Sequence, residues 1–163
     1  MRHNRAKFLA HLKKARMYDW MNLLHIAAAI VWLGGAAFML FAMRPAALAL
    51  PAPERLSLMA VAMGRFFALV WVCIAILFAS GLAMMMVAGM KNAPLGWTVM
   101  MAVGFLMFAL FGHLYFGPFR HMRLAVNASD WVTAGEKAGQ VAKLAHLNLL
   151  LGALAIAAVL LIE

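Results

Sequence analysis

Four apolar runs of about 20 residues each dominate this chain, and a run of that length matches the hydrocarbon thickness of a bilayer. They cover about residues 20–43, 66–90, 97–119 and 142–162. Little chain remains outside them, so the sequence predicts an all-α integral membrane four-helix bundle, residues 19–163, preceded by a basic amphipathic segment, residues 1–18. Composition agrees: 67% of the 163 residues are hydrophobic and 12% charged, far from the balance of a water-soluble domain. Within residues 1–18, Phe8, Leu9, Leu12 and Met17 alternate with Arg5, Lys7, Lys13, Lys14 and Arg16, a pattern suited to a helix on the membrane surface and equally to a frayed basic tail. The first apolar run, at about 24 residues, is too long for the 7–15-residue core of a cleaved leader, so it reads as a span.

The net charge of +9 raises the question of nucleic acid, but the basic residues sit at the ends of the apolar runs and no nucleic-acid-binding motif accompanies them. They are placed to fix orientation and meet anionic headgroups. The partner they imply is the lipid bilayer. Arg2, Arg5, Lys7, Lys13, Lys14 and Arg16 all precede the first span, which favours a bacterial inner membrane protein with both termini in the cytoplasm. Cys73 is alone, so there is no disulfide framework.

Polar groups at membrane depth are costly and mark function. His25, His113 and His146 fall within spans, whereas His3 and His11 lie in the tail and His121 just past span three. At 1.5 Å per residue, His113 and His146 lie at one level, about 8–9 Å from mid-span, while His25 lies about 10 Å to the other side. A bis-histidine site between spans three and four is one arrangement. Pairing His25 with Met101 of span three is another, since both residue types ligate haem iron and copper. Trp32 shares a helical stripe with His25, and Arg44, Arg65 and Arg120 stand at span ends where a guanidinium would hold a carboxylate. Methionine is abundant, 15 in all, and Met17/Met21, Met39/Met43, Met59/Met63 and Met86/Met90 repeat an MxxxM spacing. Thioethers on one helix face are soft donors for Cu(I), and methionine is equally a flexible core filler. Gly34, Gly35, Gly104, Gly112 and Gly152 offer close helix approach. No carboxylate lies deep in a span, and no nucleophile–base set, Walker loop or dinucleotide fingerprint occurs.

The run LHIAAAIVWLGG, carrying His25, Trp32, Gly34 and Gly35, resembles the opening of the copper-resistance D (CopD-like) membrane domain and of the related membrane protoporphyrinogen IX oxidase family. Trp97 and the FGHLYF stretch fit the same pattern. The resemblance implies a four-helix fold with a b-type haem. Asn22, Met101 and Phe41 stand where the oxidases keep Lys, Lys and Arg, which would change the ligand pair to His25 and Met101. Three functional readings stay open: a haem b electron-transfer protein serving a quinone or a redox partner protein, a copper(I) handler using Met and His sites, and a non-redox scaffold subunit. A homo-oligomer is compatible with each.

Overall fold

A computed structural model describes residues 2–88 and 95–161, and among these every long element is helical. We number the helices α1 (Arg2–Phe38), α2 (Ala52–Ala88), α3 (Leu95–Leu114), α4 (Arg120–Asn127) and α5 (Trp131–Leu161). Four stretches are long and apolar enough to cross a membrane, Ala15–Ala49, Ala52–Val87, Leu95–Asn127 and Trp131–Leu161, so the chain is a multi-pass membrane protein with an all-α bundle. The turn expected at KNAPLG lies mostly outside the described residues.

The helices are longer than the apolar runs. At 1.5 Å per residue the 37 residues of α2 reach about 55 Å, well beyond a hydrocarbon core of about 30 Å. The basic segment expected as a separate unit, residues 1–18, is continuous with α1, because no glycine or proline occurs between Arg2 and Leu33 to interrupt it. At the other end, the polar connection expected over Arg120–Lys143 is helix except at Ala128–Asp130. That corner is a Schellman turn. Ser129 takes φ 58°, its N–H donates to Val126 O (3.1 Å), and Asp130 N–H donates to Ala125 O (2.9 Å). Asp130 then caps α5, its Oδ1 accepting from Thr133 N–H at 3.0 Å.

Prolines shape two further points at this end. Pro118 sits inside a π-helical turn, Tyr115–Phe119, and Pro45 stands two residues past the end of another, Met39–Met43. A proline has no N–H to donate and its ring collides with the carbonyl four residues back, and one wide turn relieves both problems.

α1 packs chiefly on α2, and α3 on α5, while α5 also meets α1 and α2. Glycine permits two of these approaches. A Cβ on Gly152 would overlap Leu33 of α1, and one on Gly35 would overlap the Phe66 ring of α2. Gly34, Gly104 and Gly112 face no such neighbour. Between α2 and α3 aromatic rings fill the space: Phe111 meets Phe67 at 5.4 Å and Trp71 at 5.3 Å, both edge-on. Such pairs add about 0.5–1.5 kcal/mol beyond their buried area. The outer faces carry exposed Leu, Ile, Val and Phe, a surface that suits lipid.

Candidate functional site

The two central MxxxM pairs belong to one apolar core, and Met39 and Met63 line the same cavity. Met59 and Met63 of α2 are buried, as is Met122 of α4, and Met39 and Met43 pack half-buried against the same core. The π turn Met39–Met43 delivers one pair and the extended first turns of α2 deliver the other. Met17 and Met86 of the outer pairs are exposed, and Met90 lies outside the described residues.

Beside this cluster is a cavity of about 40 Å³. Trp32, Met39, Met63, Phe67, Arg44 and Asn148 are among its walls. Arg44 is exposed and stands at the rim, whereas Asn148 is buried at 5% exposure. The Asn148 amide donates a long bond to Met107 O (3.4 Å), and its Oδ1 has no partner among the described residues. Arg65 and Arg120, expected beside Arg44, are exposed on α2 and at the start of α4, away from the cavity walls.

The histidines are separated. His25 lies opposite Ser80 of α2, with Nδ1 2.9 Å from Oγ. The Ser80 hydroxyl donates to Ile76 O at 2.6 Å, so the imidazole Nδ1–H donates to Ser80 and Nε2 keeps its lone pair. The ring rests against Gly81. His146 donates from Nδ1 to Ala142 O at 2.8 Å and stands edge-on to Phe41 at 5.6 Å. Asn148, two residues on, faces α3, so His146 is turned roughly 200° away from that helix. His113 is exposed on α3. The arrangement therefore brings together neither His113 with His146 nor His25 with Met101, which is 39% exposed on α3. Among the described residues these candidate ligands do not share one site. The candidate ligands face different neighbours, and the cavity beside Trp32 has the volume of a few waters rather than of a macrocycle.

Among the described residues no three or more His, Cys, Asp or Glu side chains gather into a metal-binding group. Two thioether residues, Met39 and Met63, do line one cavity. Asn148 and Ser80 were passed over at the level of sequence, although an Asn and a Ser inside the apolar runs HLNLLLGA and FASGLA are the costly intramembrane polar groups that flag a site.

A family model described as copper resistance protein D matches residues 60–162, more than half of the chain. The chain belongs to the copper resistance protein D family. The match takes in Met63, Met107, Met122 and Asn148. His25, Trp32, Met39 and Arg44 precede it, so the copper resistance protein D assignment stands on α2 to α5 and not on the LHIAAAIVWLGG run. Searches of curated proteins and of solved structures returned no match.

Proposed function

We propose that this chain handles Cu(I) in the cytoplasmic membrane through its methionine cluster. The observation that carries the reading is that Met39 and Met63 line one cavity, with Met43, Met59 and Met122 in the same apolar core, in a copper resistance protein D chain. Cu(I) is a soft ion that accepts thioether sulfur, whereas divalent zinc prefers imidazole, thiolate and carboxylate. Neutral thioethers leave the charge of the ion uncompensated, which suits a site that must release its metal as well as hold it. With both termini cytoplasmic, as the six basic residues of the first segment favour, the cluster faces the opposite side of the membrane.

Competition against a colorimetric Cu(I) chelator under reducing conditions tests the reading. The detergent-purified protein should take up Cu(I), and Met59→Leu, Met63→Leu and Met122→Leu should each weaken uptake. These swaps conserve volume and usually cost below about 1.5 kcal/mol, so the fold survives them. The purified protein should lack a Soret band. A haem spectrum that disappeared with His25→Ala would replace this reading with the electron-transfer one.

A further inference from the structure

We infer that residues 39–50, the last turns of the first apolar stretch, form a lid over the cavity lined by Met39 and Met63. The lid stands on backbone geometry and packing, and its use for metal entry rests on the Cu(I) reading above. Three features of the segment point the same way.

It has a pivot at each end. The π turn Met39–Met43 interrupts the regular helix, with Arg44 N–H donating to Met39 O. Pro45 then offers no N–H to Phe41 O, the carbonyl one turn before it. Helices bend most readily at such a turn and beside a proline. At the far end Leu50 leaves the helix for an extended conformation, φ −93° and ψ 149°, and Pro51 follows.

It is weakly anchored. Between Arg44 and Leu50 only Ala47 is buried, and Leu48 is 67% exposed. Segments with so little buried surface open at low cost. The second π turn, Tyr115–Phe119, lacks this freedom, because α4 beyond it buries Met122 and Ala125 and is tied to α5 by the Schellman turn.

It has room to move. Met39, Leu40 and Arg44 wall the cavity, whereas Ala42, Ala46 and Leu50 wall an open groove of about 510 Å³ on the opposite side of the same turns. Swinging into that groove carries one wall off the cavity and leaves Met63 and Phe67 in place on α2. The Arg44 guanidinium departs with the lid, so a cation entering toward Met63 no longer meets its charge.

Double electron–electron resonance on the metal-free protein in detergent, in a Cys73→Ala background, tests the motion. One labelled pair is Leu48→Cys with Val132→Cys, and the reference pair is Val61→Cys with Val132→Cys, all three positions being exposed. The lid pair should give a distance distribution about twofold broader than the reference pair, and Pro45→Ala, which restores the missing N–H, should narrow it. Equal widths in the protein with Pro45 intact would overturn the lid, and that comparison needs no folded proline variant. An unchanged width in a folded Pro45→Ala protein would overturn the π-turn pivot. A broad lid distribution in a protein that takes up no Cu(I) would support the lid and strike the copper reading.

Discussion

The two ends of the bundle are built differently. At the Arg44 end, Phe111, Leu114, Phe119, Met122, Ala134 and Val141 are all buried to 2% exposure or less. Toward the first turns of α1 and α3, large apolar residues such as Trp20, Leu23, Leu24 and Leu95 stand exposed, and the polar contact between helices is His25 with Ser80. The contrast follows from solvent. Where helices run on past the bilayer a core of the kind that water imposes adds to their packing, although Leu48, Leu58, Leu124 and Val132 stay exposed there as well. Within the bilayer, lipid solvates apolar faces as well as another helix does, so close contact depends on small residues and a few polar links.

Perturbations should sort by end. Phe111→Ala removes a ring that touches Trp32, Phe67, Trp71 and Tyr115 and should cost about 3–5 kcal/mol, whereas Leu24→Ala, on the exposed face of α1, should leave the melting temperature in detergent nearly unchanged. Equal losses would erase the distinction. Gly152→Ile forces a branched side chain into Leu33 and should cost about 1–3 kcal/mol, while the same change at Gly34, where the backbone faces open space, should be tolerated. Ser80→Ala deprives His25 of its acceptor and should cost about 1 kcal/mol, measured as a shift in thermal unfolding.

The smallest effect is a pH effect at the corner before α5. Hydrogen bonds from the Thr133 hydroxyl and backbone N–H hold the Asp130 carboxyl below its ordinary range. A depressed carboxylate pKa contributes stability above the unfolded value of about 4, and that contribution is lost as pH falls through the folded value. The unmodified protein should therefore lose more stability than Asp130→Asn when melted at progressively lower pH below about 4. Parallel pH profiles would show that the cap is energetically silent.

The sequence made the four spans legible because a hydrophobic run of bilayer length has few alternatives. It concealed how far the helices continue, because Arg120, Arg123, Glu136, Lys137 and Lys143 lower the hydropathy of a stretch that is still helical. The buried stripe through that stretch is made of Met122, Ala125, Ala134, Ala138 and Val141, mostly small residues that carry little hydropathy signal. Pro45 and Pro118 were visible, but the π turns they accompany depend on how the backbone relieves the missing donor. At the candidate site, MxxxM spacing placed each pair on one helix face, and only tertiary packing decided which pairs are buried. The histidines teach the converse. Rise per residue put His113 and His146 at one depth, yet rotation about the helix axis turned them to different neighbours, and axial position says nothing of rotation. Glycine behaved likewise, since Gly35 meets a neighbour and Gly34 does not.

The central claim, that the methionine cluster takes Cu(I), is tested most directly by X-ray absorption at the copper edge of the Cu(I)-loaded protein. The account predicts a first shell of sulfur alone, with sulfur lost in Met63→Leu and Met122→Leu. A shell of nitrogen that vanished with His25→Ala or His146→Ala, and was untouched by the methionine variants, would contradict it.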